Sequence, residues 1–314
     1  MELENLQNGA IVRTEGETTA ALVYLAGLAP TGRRTMAGAL RGVAMLLGGQ
    51  DDLAAMDWGA LRFEHVVAIR AKLAESLAPA TVNKYLAALR GVALAAWGLG
   101  QMSADDLAKI KSVKGVRGHT LPAGRALGGG ELRALLGACR DGTPAGTRDA
   151  AILALGYGCG LRRAELAALG IDSILADNGE FTIKILGKGS KERLAYADNG
   201  AAAALAQYLA TRGDAPGPLF LAGRKGGKLG GAGMTPQAIR DVVSRRASQA
   251  GLASLSPHDL RRSFVSDLLD SGVDIATVAS MAGHANVQTT ARYDRRGETA
   301  KRRAAKSLFV PIGE

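Results

Sequence analysis

Apolar residues in the first third of the chain recur at intervals of three and four, the spacing that turns one stripe of a helix toward a core. Over residues 31–48 the stripe is Met36, Leu40, Val43, Leu46 and Leu47, and over 60–77 it is Leu61, Val66, Ile69 and Leu73. Pro79 suits a first helical turn and opens a further helix with Val82, Leu86, Leu89 and Val92 facing inward. Ser103 predicts an N-cap, with Asp105 and Asp106 behind it at the positive end of the helix dipole. The period then vanishes over 111–127, a stretch rich in glycine and basic residues that predicts a linker between domains.

Beyond the linker, helices are predicted at 131–140, 147–156, 161–169, 201–211, 236–250, 257–270, 274–282 and about 287–295, with a last short one at 301–308. The one convincing strand signal is 180–196. Residues 180–186 alternate, Gly187-Lys188-Gly189-Ser190 turns, and 192–196 returns as the second arm of a hairpin. The fold class expected is mainly α, in two domains: a helical one over 1–110 and, after the 111–127 linker, an α-helical one over 128–296 with a small antiparallel β-sheet. Residues 297–314 form a tail.

The length of 314 residues suits two domains, and 47% apolar with 22% charged residues excludes a disordered or fibrous chain. The longest apolar stretch, 91–100, is too short to span a bilayer, and the N-terminus lacks the apolar segment of a signal peptide. Cys139 and Cys159 alone make no disulfide framework. A soluble protein of a reducing cytoplasm is expected.

Charge narrows the partner. The net charge is +10, yet residues 1–108 hold 9 basic and 11 acidic residues, so the excess lies in the remainder. Lys109, Lys111, Lys114, Arg117 and Arg125 fall within one stretch without an acid, and 291–314 holds seven basic residues against three acidic. Such a distribution points to a polyanion, most simply nucleic acid.

Three segments concentrate chemistry. Gly160-Leu161-Arg162-Arg163-Ala164-Glu165-Leu166 places an arginine at a helix start, where free backbone N–H groups favour phosphate. In Ser256-Pro257-His258-Asp259-Leu260-Arg261-Arg262-Ser263, His258 and Arg261 share one helix face while Leu260 and Phe264 share an apolar one. An imidazole beside a guanidinium suits a phosphate, which the arginine grips in a fork while the histidine moves a proton. In Gly283-His284-Ala285-Asn286-Val287-Gln288-Thr289-Thr290-Ala291-Arg292-Tyr293, a phenol follows a Gly-His by nine residues. Taken singly, each has an ordinary explanation: a solvated arginine, a helix-capping histidine, a core tyrosine.

Taken in order, Arg162, Lys188, His258, Arg261, His284 and Tyr293 resemble the active-site residues of the tyrosine recombinases, the integrase family that includes phage integrases, Xer and Cre. The boxes GLRRAEL, GKGSKER, HDLRRS and GHANVQTTARY carry the likeness across about 126–296. The helical first third is similar, less specifically, to the family's core-binding (SAM-like) domain. The resemblance implies a two-domain clamp on double-stranded DNA. Tyr293 would attack a scissile phosphodiester to give a 3′-phosphotyrosyl link, Arg162 and Arg261 would hold nonbridging oxygens, and Lys188 would protonate the leaving 5′ oxygen. His258 would serve acid–base work near the tyrosine, His284 would hydrogen-bond the phosphate, and Glu165 would orient its neighbours.

It further implies no cofactor and no metal, a homotetramer on paired sites with the tail docked on a neighbouring protomer, room for accessory proteins, no membrane, and a cytoplasmic, nucleoid-associated location. Lys111, Lys114 and Arg117 of the linker, with Arg33, Arg34, Lys84 and Arg90 of the first domain, are the expected DNA contacts. A lambda-type arm-binding domain is not expected. Two rivals stand beside this reading, a type IB topoisomerase-like DNA relaxation enzyme and a nonenzymatic DNA-binding protein. The first shares the phosphotyrosine chemistry without paired sites; the second explains the charge but not the six polar positions. No HExxH or CxxC pattern and no GxxxxGK[ST] loop supports a metal enzyme or an ATPase.

Overall fold

The computed structural model describes residues 19–47, 52–118, 124–177, 179–187, 192–223 and 228–294, with 302 and 305. The chain divides into two compact units, Met1–Pro122 and Ala123–Glu314, so the division falls inside the expected linker.

The first unit holds α1 (Ala20–Ala26), α2 (Pro30–Leu46), α3 (Phe63–Ala74), α4 (Pro79–Gly98) and α5 (Ala104–Ser112). Helix α4 is the axle of its core: Val82, Leu86, Leu89 and Val92 are fully buried, and Leu61, Val66, Ile69 and Leu73 close around them. Pro79 opens α4 and Ser103 caps α5, accepting from the Asp106 amide at 3.0 Å, as the sequence predicts. On α2 the expected stripe is only half right. Leu40 and Val43 are buried, but Leu46 and Leu47 are exposed where the helix ends. Helix α1 was not among the predicted helices because AALVYLA is too short and too uniformly apolar to show a period.

The basic stretch does not leave the first unit at once. Helix α5 runs to Ser112, two residues into the expected linker, and residues 113–118 then fold back on α3 and α4. Asn83 brackets Val116, donating to its carbonyl at 3.0 Å and accepting from its amide at 2.8 Å. Arg70 donates to the Lys114 carbonyl at 2.8 Å, and Arg90 donates to that of Val113. The backbone is thereby fixed while Lys111, Lys114 and Arg117 stay exposed.

The second unit comprises α6 (Gly129–Gly137), α7 (Pro144–Gly158), α8 (Arg163–Ala168), β1 (Ile174–Asp177), β2 (Glu180–Leu186), β3 (Glu192–Ala197), α9 (Asn199–Arg212), β4 (Leu221–Gly223), β5 (Leu229–Gly233), α10 (Pro236–Gln249), α11 (Pro257–Asp270), α12 (Ile275–Ala282) and α13 (Val287–Ala291). The predicted hairpin is β2 and β3, antiparallel from Phe181↔Ala197 to Leu186↔Glu192. Strand β1 extends it to three strands, and β4 and β5 make a separate pair. These three strands escaped the sequence reading because ILAD and LAG are too short to alternate and LGGAG reads as a loop. Helix α13 stops at Ala291, short of the expected 295, and the expected 301–308 helix lies outside the described residues apart from 302 and 305.

Helix α7 runs through the middle of this unit, with Ala151, Ile152, Leu153 and Leu155 fully buried. At its start a buried ionic network ties it to α10. Asp149, with no exposure, accepts from Arg148 at 3.0 and 2.7 Å, from Arg246 at 2.9 Å and from Arg245 at 2.8 Å. Among the described residues no helix is long and apolar enough to cross a membrane.

Candidate active site

Four turns converge on one cluster of polar side chains. The first is the break between α7 and α8. Gly160 (φ +61°) allows it, and a Cβ there would lie 2.4 Å from the Phe264 ring, so only glycine fits. Arg162 follows as the residue that precedes α8, and Glu165 folds back to accept from its amide at 2.9 Å. Glu165 also accepts from the Arg162 side chain at 2.8 Å, and a second Arg162 nitrogen donates to the Gly283 carbonyl at 2.8 Å.

The second is the start of α11, where Pro257 occupies the first turn and Asp259 accepts from the Ser256 amide at 2.9 Å. This fixes His258 and Arg261 on one face, as the sequence predicts, with Leu260 and Phe264 buried on the other. Arg261 is itself buried. It donates to the carbonyls of Gly160 (2.6 Å) and Ala282, and burial together with nearby Arg162 lowers its pKa to about 9, still cationic at neutral pH. Its hydrogen bonds to two element ends lock the guanidinium in place.

The third turn follows α12, where Gly283 (φ +62°) ends the helix and presents His284. His284 Nδ1 lies 2.7 Å from the fully buried Thr290 hydroxyl. Burial, then the charges of Arg261 and Arg162, push its pKa down to about 4, so the ring is neutral at pH 7. The fourth comes after α13, where Tyr293 is half-buried. Its phenolic oxygen stands 3.2 Å from His258 Nε2, its ring stacks on His284 with centroids 6.2 Å apart, and the Arg262 guanidinium lies 5.3 Å over it. Burial, Arg262 and Arg261 hold His258 below the usual histidine range, which keeps it a proton acceptor.

A cleft of about 440 Å³ is lined by Arg162, Arg163, Arg240, His258 and Arg261 among others. A larger cleft of about 580 Å³ is lined by Leu132, Tyr157, Phe264, Met281 and neighbours and carries none of these arginines, so the smaller one suits an anion. Among the described residues no group of three or more His, Cys, Asp or Glu side chains is placed to hold a metal.

Arg162, Glu165, His258, Arg261, His284 and Tyr293 are thus brought together, whereas Lys188 lies outside the described residues. In the first unit Arg34 and Lys84 are exposed. Arg33 and Arg90 have internal tasks that the sequence did not suggest. Arg33 binds the carbonyls of Leu25, Ala26 and Leu28 at the end of α1, and Arg90 binds that of Val113. Three residues at the site were missed: Arg193, which donates to Glu165 at 2.9 Å, Arg262 and Thr290. Arg193 had a signal, because it sits on the inward face of β3 with Ala195 and Ala197.

Residues 125–299 match the model of the phage integrase family. A tyrosine recombinase XerC from Corynebacterium efficiens is 34% identical over 223 residues, 70% of this chain and 68% of that one. A XerD from Listeria innocua is 32% identical over 221 residues, 70% and 72%. A XerC from Chromohalobacter salexigens is 39% identical over 169 residues, and the chain spans only 54% of its length. Among solved structures, the XerH site-specific recombinase bound to palindromic difH substrate, a post-cleavage complex, superposes with a TM-score of 0.66 at 23% identity, covering 88% of this chain and 80% of that one. A lambda integrase (75–356) dimer bound to a COC′ core site gives 0.64 at 12% identity, covering 88% and 93%. At these identities the structures speak for the fold alone.

Proposed function

This chain belongs to the phage integrase family of tyrosine recombinases, and from that premise we propose that it is a site-specific recombinase that cuts and rejoins duplex DNA. The observation that carries the reading is the contact of Tyr293 with His258, which itself lines a cleft together with the anchored Arg162 and Arg261.

The chemistry follows from the groups present. The Tyr293 oxygen attacks phosphorus and its proton passes to His258 Nε2, 3.2 Å away. Arg261 and the half-exposed Arg162 hold the nonbridging oxygens and offset the charge of the five-coordinate transition state. His284 donates a hydrogen bond to the same phosphate. The bond from phosphorus to the 5′ oxygen breaks, and Lys188 supplies the proton that this oxygen takes up. A 3′-phosphotyrosine and a 5′-hydroxyl result. The phosphodiester energy stays in the tyrosyl link, so a 5′-hydroxyl from a partner duplex reverses the step without ATP or a metal.

Exposed Lys111, Lys114 and Arg117, on a backbone pinned to α3 and α4, provide sequence-independent contacts to the phosphates, joined by Arg34 and Lys84. A tetramer on two paired sites, with the tail of each protomer docked on a neighbour, completes the scheme. It would act in the cytoplasm on nucleoid DNA.

A two-site assay separates the rivals. Duplexes of different length, built on a sequence the protein selects from a random library, should yield recombinant lengths in EDTA without ATP. An adduct without exchanged lengths would assign a topoisomerase; binding with neither would assign a nonenzymatic DNA-binding protein.

A further inference from the structure

We propose that Arg193 is a positioning residue for the phosphate clamp, holding one oxygen of Glu165 so that Arg162 remains available to the DNA phosphate; this rests on the function proposed above.

Arg193 stands where a strand should carry an apolar residue. Its neighbours on the inward face of β3, Ala195 and Ala197, are buried, and it pairs in register with buried Ile185. Its side chain is only 15% exposed. A guanidinium in such a place is costly unless it is paired, and the pair is Glu165, 7% exposed, at 2.9 Å.

Glu165 is shared between two arginines. One carboxylate oxygen takes the Arg162 side chain at 2.8 Å; the other takes Arg193 and the Arg162 amide, both at 2.9 Å. Were Arg193 removed, that second oxygen would be open to the Arg162 fork. A bidentate carboxylate pair is the geometry that competes best with phosphate for a guanidinium.

The other anchor of Arg162 also leans on Arg193. Arg162 donates to the Gly283 carbonyl, and Gly283 lies so close to Arg193 that a Cβ would fall 2.5 Å from its Nε. Arg193 therefore backs both groups that orient Arg162, and it adds a second positive charge beside one carboxylate. Burial lowers its pKa, with the Arg162 charge contributing, as expected of two cations close enough to repel.

The test uses the full chain and a nicked duplex built on the library-selected sequence, with Arg193→Met to keep the alkyl stem and Arg193→Lys to keep the charge. Arg193→Met should bind the duplex within about threefold of wild type yet form the covalent adduct roughly 10²-fold more slowly, with Arg193→Lys recovering part of the loss. In an Arg162→Ala background, Arg193→Met should cost less than about threefold more, because both changes disable one unit. Independent, multiplying losses would overturn the positioning role. So would rescue of Arg193→Met by a substrate with sulfur in place of the 5′ bridging oxygen, which would assign Arg193 to the leaving-group hairpin. If Arg193→Met melts well below wild type, Arg193→Lys carries the same cycle. Absence of an adduct with the wild-type chain would instead overturn the recombinase function itself.

Discussion

His258 Nε2 and the Tyr293 phenolic oxygen stand 3.2 Å apart although 35 residues separate them in the chain. The contact joins the first turn of α11 to the segment after α13, and it sets the direction in which a proton moves. Burial and the charges of Arg262 and Arg261 disfavour the imidazolium, so His258 is a base over the neutral range.

The pH dependence follows with a definite sign. Because the His258 pKa is lowered, its neutral form persists below pH 6.5, and single-turnover cleavage should rise with pH along an acid limb lying under that value. His258→Gln should flatten the limb and slow cleavage by about 10²–10⁴-fold. An unchanged limb in His258→Gln would assign it to another group.

Thr290 should govern which nitrogen of His284 carries the proton. The Thr290 hydroxyl lies 2.7 Å from Nδ1, and its donating there would leave the hydrogen on Nε2 as a donor to an anion. Thr290→Val should slow adduct formation about tenfold, the loss of roughly one hydrogen bond, while Thr290→Ser stays near wild type. Nitrogen NMR of the imidazole should show Nε2–H in wild type; an Nδ1–H ring would contradict this.

The Asp149 network should dominate the stability of the second unit. Asp149→Ala leaves Arg148 and Arg246 buried without their shared carboxylate, which should cost about 3–5 kcal/mol in chemical denaturation. A loss below about 1 kcal/mol would show that the network is easily replaced.

The linker charges should read as salt dependence. Changing Lys111, Lys114 and Arg117 to Gln should weaken binding to all duplexes alike and lower the slope of log affinity against log salt by about 0.9 for each DNA phosphate that is no longer neutralised. An unchanged slope would take this stretch off the DNA backbone.

Much of the site was legible because catalysis here depends on side chains set at element ends, and caps leave marks in sequence. Pro257 announced α11 and hence the shared face of His258 and Arg261. Leu40, Val43, Val82 and Leu89 were legible as core from spacing alone. What escaped was set by tertiary contact. Nothing local shows that Arg33 caps α1, that Thr290 meets His284, or that residues 113–118 fold back onto Asn83. Strands β1, β4 and β5 were missed because pairing, not propensity, makes them strands.

The identity of the nucleophile is open to a direct measurement. Wild-type protein trapped on a nicked duplex, then digested with protease and nuclease and weighed by mass spectrometry, should carry its nucleotide on Tyr293, and Tyr293→Phe should bind the duplex but carry none. A nucleotide on any other residue, or an adduct surviving in Tyr293→Phe, would contradict the mechanism.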